Sequence, residues 1–378
     1  MMIYLDNAAT SGIKPSRVIN SVEYALKKHS ANPGRSGHRL SMDAALAIYN
    51  ARQKIKETFG ADEVENVVFT LNCTHALNCV IKGILRSGDH VVLSDLEHNA
   101  VMRPLEKLKN DGTTTYTIAE TFEGDDDATV KSFESAINNN TRLVICTHAS
   151  NVFGNVQPIG KIGELCRKRN ILFAVDAAQS AGVLPIDMQK MNIDFLCIAA
   201  HKGLYAPMGT GILIARKPLK STIIEGGTGT DSFNLNQPTD MPEMLESGTV
   251  NLPGICGISA GIDFIKSRGI KNIYLHEYEL CHYLFERFMG MQNVILYNKS
   301  FRPFEKAPVL SFNLKGFDST EVAARLNDYG IAVRAGFHCA PSAHNKYGTQ
   351  DIGTVRVSPG IMTKIEDVNY LLKILKKI

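Results

Sequence analysis

The sequence predicts an α/β protein: a large domain with a mostly parallel central sheet flanked by helices, joined to a smaller α+β C-terminal domain. Two observations carry this. Between about residues 60 and 200, short apolar runs alternate with helical or polar segments, the rhythm of βα units. Beyond Leu252 that rhythm gives way to long helical stretches and then to isolated strands. The division is therefore drawn as a large domain over 12–252 and a small one made of 1–11 and 253–378.

The elements follow in order. Ile13 to His29 has Pro15 near its start and apolar residues at 18, 22, 25 and 26, the spacing of a helix with one buried face. A second helix is expected from Ser41, a good N-cap, to Phe59, with Gly60 as its stop. Strands are expected to end at Thr70, Ser94, Thr147, Asp176 and Ala199. The C-terminal part reads as helices over Ile255–Arg268 and on to about Phe288, then strands near 309–314, 331–334 and 355–357. Helices starting at Asp318 and Thr363 carry Glu321 and Glu366 at capping-box spacing. Thr121 to Asp127 reads as a solvated turn.

Composition narrows the classes. A chain of 378 residues, 44% hydrophobic and 21% charged, can bury a substantial core. The formal charge of +3, spread along the chain, implies neither a nucleic-acid surface nor a membrane-binding stripe. No apolar run reaches the roughly 20 residues of a membrane span, and the first residues lack the pattern of an export signal, so the cytoplasm is the expected location. The eight cysteines show no Cys-x-x-Cys pair and no metal-ligand rhythm, so no metal is expected.

The chemistry-bearing residues follow the strand ends: Thr74, His98, Asn151, Asp176 and Lys202. In a parallel sheet the carboxyl ends of the strands share one edge, where ligands bind. Lys202 follows an apolar strand and stands in apolar, glycine-rich surroundings, which desolvate an amine and make it nucleophilic. Asp176 ends the preceding strand, and Gln179 lies three residues on. A lysine to hold an aldehyde as a Schiff base, with an acid to keep a pyridine nitrogen protonated, is what pyridoxal phosphate chemistry requires. Each signal also has a plain reading: Asp176 as a helix cap, Lys202 as a surface lysine, Thr74 and His98 as ordinary helix-start residues. Thr74 at a helix start would equally seat a phosphate on free backbone N–H groups.

Taken together, the pieces resemble a known family. Tyr4-Leu-Asp-Asn-Ala-Ala-Thr10, Asn32-Pro-Gly-Arg35-Ser-Gly-His38, Glu97-His98-Asn, Ser150-Asn151-Val-Phe-Gly154, Val175-Asp176-Ala-Ala-Gln179, His201-Lys202 and Arg334-Ala-Gly-Phe-His-Cys339-Ala look like the cysteine desulfurase and selenocysteine lyase group of the class V aminotransferases, in its SUF-type branch. The likeness runs in order from residue 3 to about 360.

That resemblance implies a fold type I, pyridoxal 5'-phosphate-dependent enzyme. Lys202 would carry the cofactor, Asp176 would pair with the ring nitrogen, Gln179 would touch the ring hydroxyl and His98 would stack on the ring. Thr74 and His201 would hold the phosphate, with Thr249 reaching over from a second subunit of a homodimer with shared sites. Asn151, Arg356 and Arg35 would bind the substrate, and Cys339 would be the nucleophile that takes up sulfur. Ala199 and Ala200 stand where a hydroxyl residue often adds a phosphate contact. Gly34 and Phe337 stand where close relatives have histidine.

Cys339 itself sits in a polar, glycine-containing turn beside Arg334 and His338, two neighbours expected to favour its thiolate when cationic. The expected reaction converts L-cysteine to L-alanine and leaves a persulfide on Cys339, for iron–sulfur cluster or thio-cofactor assembly through a protein sulfur acceptor. Rival readings are a selenocysteine lyase, a plain class V aminotransferase or other β-eliminating lyase, and a non-enzymatic scaffold that binds the acceptor.

Overall fold

The computed structural model describes residues 2–34, 36–230 and 232–378. The chain runs β1 (Ile3–Tyr4), α1 (Ser16–Lys28), α2 (Arg39–Phe59), β2 (Val67–Thr70), α3 (Cys73–Ile84), β3 (His90–Ser94), α4 (Asn99–Asn110), β4 (Thr115–Ala119), α5 (Asp126–Ala136), β5 (Thr141–Thr147), α6 (Ile159–Arg169), β6 (Leu172–Asp176), β7 (Phe195–Ala199) and β8 (Gly211–Ala215). It continues with α7 (Leu252–Arg268), α8 (Ile270–Met289), β9 (Val294–Leu296), β10 (Leu310–Leu314), α9 (Ser319–Asp328), β11 (Ile331–Ala332), β12 (Arg334–Gly336), α10 (Pro341–Lys346), β13 (Thr354–Val357) and α11 (Ile365–Leu375).

The large sheet has the order β2-β8-β7-β6-β5-β3-β4, and β8 alone runs antiparallel to its neighbours. Its central strands β6 and β7 are apolar on both faces because helices cover both. Side chains alternate: Val144 and Cys146 of β5 join one core with α2, α6 and α7, whereas Leu143 and Ile145 join the other with α3 and α4. All strands but β8 thus point their carboxyl ends to one edge, and the register sets Thr147 beside Asp176 and Asp176 beside Cys197.

A second, antiparallel sheet, β12-β13-β10-β9, carries the C-terminal core together with α8, α9 and α11. The first residues belong to it: β1 pairs in parallel with β11, and Leu5 is fully buried in that core. Helix α7 packs against α1 and α2, in the core of the large sheet. The break in the core therefore comes after this helix rather than at 252.

Several local expectations shift. The N-cap of α2 is His38, whose ring accepts the Ser41 N–H at 3.3 Å; Ser41 instead donates its hydroxyl to Asn32 O. Helix α11 is capped one residue later than Thr363, with Asp367 accepting the Lys364 N–H at 2.9 Å. At α9, Asp318 accepts from Thr320, and Glu321 pairs forward with Arg325. Strands β4 and β8 had no counterpart in the sequence reading. The first is a threonine-rich, largely exposed edge strand, and the second reads as an apolar flank of Lys202. Among the described residues, no helix is long and apolar enough to cross a membrane.

Candidate active site

Five of the expected residues follow the carboxyl ends of β2, β3, β5, β6 and β7, at the same edge. Asp176 is the last residue of β6 and is buried. No helix follows it, so it caps none; its Oδ1 accepts the Ala178 N–H at 2.9 Å and the Cys73 thiol at 3.5 Å. Cys73 opens α3, a place for which the sequence offered no role. Its thiol is pushed up by burial and by Asp176, so it stays a donor and holds the carboxylate in one orientation.

Lys202 comes three residues after β7, with no hydrogen bond or ion pair to its amine among the described residues. Burial pushes the amine down to about 8; Arg356 adds to the fall and Asp176 opposes it. Close packing behind it fixes its backbone: a Cβ on Gly203 would lie 2.2 Å from Ala181 O, and one on Gly182, at φ +84°, would lie 2.3 Å from Gly203 O. Gln179 donates to Ala8 O at 3.0 Å and, with Lys202, lines a cavity of about 440 Å³ that also meets Asn7, Tyr205 and Glu277.

His98 is the N-cap of α4, and its Nδ1 accepts the Ala100 N–H at 3.0 Å, so the proton of the neutral ring sits on Nε2. Burial lowers its pKa against the pull of Asp176. The preceding Glu97 is fully buried: Oε1 accepts from Ser94 Oγ at 2.5 Å and Thr147 N at 2.7 Å, while Oε2 has no partner among the described residues. Its pKa is pushed up to about 8 by burial. It therefore ties the turn bearing His98 to the end of β5.

An anion seat is present at the start of α3. Asn72 caps the His75 N–H, leaving the N–H groups of Cys73 and Thr74 without an acceptor among the described residues, with exposed Thr74 beside them. His201 holds Thr10 Oγ1 at 3.1 Å through Nδ1, and its pKa is lowered to about 4 by burial, then by Lys202 and Lys14, so it is a neutral partner. Thr249 is exposed and lies outside the cavity beside Lys202. The segment bearing it is anchored by Glu246, which accepts from Arg52 at 2.5 and 2.9 Å and from Phe69 N at 2.6 Å. Arg35 lies outside the described residues.

Arg356, on β13, is 1% exposed. It donates to Asp6 at 2.7 Å and to Asn151 O at 2.8 Å, while its Nε has no acceptor among the described residues. That unclaimed, buried N–H is a place for a carboxylate. The Asn151 side chain is engaged elsewhere, donating to His338 O at 2.7 Å. Asp6, some 350 residues from its partner, carried no signal in the sequence beyond its place in the N-terminal motif.

Cys339 is the one exposed cysteine of the eight. It and His338 both adopt left-handed backbone, φ 57° and 49°, and Asn99 N donates to Cys339 O at 2.7 Å. Of the two neighbours expected to favour the thiolate when cationic, His338 is corrected here. His338 is buried and its pKa is pushed down to about 2, by burial first and then by Arg356 and Arg334, so it is neutral.

The arrangement thus offers a desolvated amine, a buried acid held by a thiol, a ring at a helix start, an anion seat and an unclaimed guanidinium N–H, with an exposed thiol on a turn docked to the same edge. Comparisons with known proteins give the family. The aminotransferase class-V model matches residues 3–371. A probable cysteine desulfurase of Methanothermobacter thermautotrophicus is 32% identical, over 100% of this chain and 94% of its own. One from Halalkalibacterium halodurans is 31% identical, over 100% and 93%. The apo structure of a cysteine desulfurase from Thermococcus onnurineus NA1 superposes with a TM-score of 0.91 at 31% identity, covering 100% of this chain and 94% of that one.

Proposed function

The chain belongs to the aminotransferase class-V family, and on that premise we propose that it is a pyridoxal phosphate-dependent cysteine desulfurase, converting L-cysteine to L-alanine and retaining the sulfur as a persulfide on Cys339. One observation supports this above the others: the turn of the exposed Cys339 is bonded to Asn99, next to His98, at the sheet edge that also carries Asp176 and Lys202.

The residues fit the cofactor: Lys202 for its aldehyde, Asp176 for its ring nitrogen, the α3 start, Thr74 and His201 for its phosphate, Gln179 and His98 for the ring. When bound, pyridoxal phosphate supplies a reactive aldehyde and an electron-withdrawing ring that acidifies the substrate Cα–H. Everything else falls to the protein. Arg356, oriented by Asp6, takes the substrate carboxylate through its free Nε–H and so fixes the direction of the Cα–H bond. Lys202, with its lowered pKa, is a base for that proton near neutral pH.

The Cys339 sulfur then forms a bond to the substrate Sγ as the Cβ–Sγ bond breaks. The electron pair left at Cβ takes up a proton, and alanine departs. Asp176, kept in one orientation by Cys73 and the Ala178 N–H, holds the ring proton throughout.

The exposed apolar residues of α1 and α2, Ile19, Tyr24, Leu26, Met42, Leu46 and Tyr49, support a homodimer, in which Thr249 would reach the partner's site. Delivery of the sulfur to an acceptor for iron–sulfur or thio-cofactor assembly in the cytoplasm completes the reading. The test is to supply purified protein with pyridoxal phosphate and then, separately, with L-cysteine, L-selenocysteine and L-cysteine sulfinate. Alanine with a persulfide on Cys339 is expected from L-cysteine, and Cys339→Ala abolishes it. Turnover of selenocysteine alone, insensitive to Cys339→Ala, would move the assignment to a selenocysteine lyase, and no alanine from any substrate would sink both.

A further inference from the structure

The turn that carries Cys339 leads into α10, and both lie along the segment between β3 and α4 that carries His98. At one end, Asn99 N donates to Cys339 O at 2.7 Å. At the other, Lys346, the last residue of α10, places its Nζ 2.6 Å from Asp95 and 3.1 Å from Thr121 Oγ1, and also donates to Thr121 O. Asp95 in turn accepts from Thr121 Oγ1 at 2.7 Å and Thr121 N at 3.2 Å. Residues 339–346 and 95–99 are thus joined at both ends, with Leu96, Ala340 and Ala343 buried between them in a small apolar cluster with Val152 and Phe153. His98 sits within the joined stretch.

The clamp has something to hold. His338 and Cys339 are non-glycine residues in left-handed backbone, a strained conformation kept only where the surroundings enforce it. The backbone bond from Asn99 and the apolar cluster join the two segments without a contact between charged groups. Lys346 supplies that contact. Its side chain is 19% exposed and that of Asp95 is 14% exposed, so the pair is less screened than an ordinary surface pair.

We propose that Lys346 is a positioning residue for Cys339: by bridging Asp95 and Thr121 it sets the register of the thiol's turn against the turn of His98. The proposal rests on Cys339 as the sulfur-accepting group and names what aims it. Lys346 touches neither substrate nor cofactor in this scheme, and acts only through the turn.

The experiment compares wild type with Lys346→Met, Lys346→Arg and Asp95→Asn, the last keeping one of the two acceptors for Thr121 while losing the charge. Three quantities are read in the protein carrying pyridoxal phosphate: the rate of Cys339 alkylation by iodoacetamide, followed by intact mass; kcat and KM for alanine from L-cysteine; and the visible absorption of the bound cofactor. Lys346→Met and Asp95→Asn should raise the alkylation rate severalfold and lower kcat roughly ten- to a hundredfold, with KM and absorption unchanged, and Lys346→Arg should recover most of both. Unchanged alkylation and kcat in Lys346→Met and Asp95→Asn overturn the proposal. So does a parallel loss of KM, absorption and thermal stability, which would mark a merely structural pair. Alkylation needs no turnover: if it responds as expected while wild type makes no alanine, the clamp stands and the desulfurase reading falls.

Discussion

Glu97→Gln tests the electrostatics that hold the His98 turn in place. Wild-type Glu97 is buried with one oxygen satisfied by Ser94 and Thr147 and the other without a partner among the described residues, and its pKa lies near 8 against an ordinary 4.5. The folded state therefore binds its proton more tightly than the unfolded state does. The resulting stability is complete below about pH 4.5 and is lost as pH rises toward 8. At 1.36 kcal/mol per pH unit the whole effect is roughly 5 kcal/mol, of which about 3 kcal/mol is lost between pH 5.5 and 8.5. Glutamine keeps the acceptor for Ser94 and Thr147 and cannot ionise, so the variant should lack this loss. Glu277, also pushed up to about 8 by burial, titrates in both proteins and cancels from the comparison. Urea unfolding of the two apo proteins at matched pH should show the variant gaining on wild type by about 3 kcal/mol across that interval. A difference that stays flat with pH would refute the protonated, buried state of Glu97.

Two further outcomes follow from the site. In the apo protein, Lys202 should react with small aldehydes or cyanate along a curve whose midpoint is near pH 8, rising as the amine loses its proton, with Arg356→Met shifting the midpoint upward; peptide mapping reads both. Gly203→Ala should lower kcat at least tenfold, because the added methyl meets Ala181 O at 2.2 Å and pushes the Lys202 backbone out of place, and it should reduce the thermal midpoint as well; steady-state rates and scanning calorimetry check it.

Much of this protein is legible along the chain because its information is local. A parallel sheet writes itself as short apolar runs, each ending at the same edge, so Asp176, Lys202 and His98 could be placed from strand ends alone. Strand β8 escaped that logic: an apolar run shows burial without direction, and only pairing with β2 and β7 makes it antiparallel. The caps at His38 and Lys364 differ from the expected ones by a few residues, since several polar residues near a helix start compete for the same N–H groups.

Contacts between distant segments are another matter. No spacing rule joins Asp6 to Arg356, Cys73 to Asp176 or Lys346 to Asp95, and no motif tells that Asn151 spends its amide on His338. Burial decides the charges too: His338, which the sequence left free to be a cation beside the thiol, is neutral because it is desolvated next to two arginines, and Glu97 keeps a proton because its bonds from Ser94 and Thr147 offset only part of its desolvation. The residue types and the edge where they meet belong to the chain's local pattern. Their protonation and aim belong to the folded core, because both depend on which groups lose water and which partners arrive from hundreds of residues away.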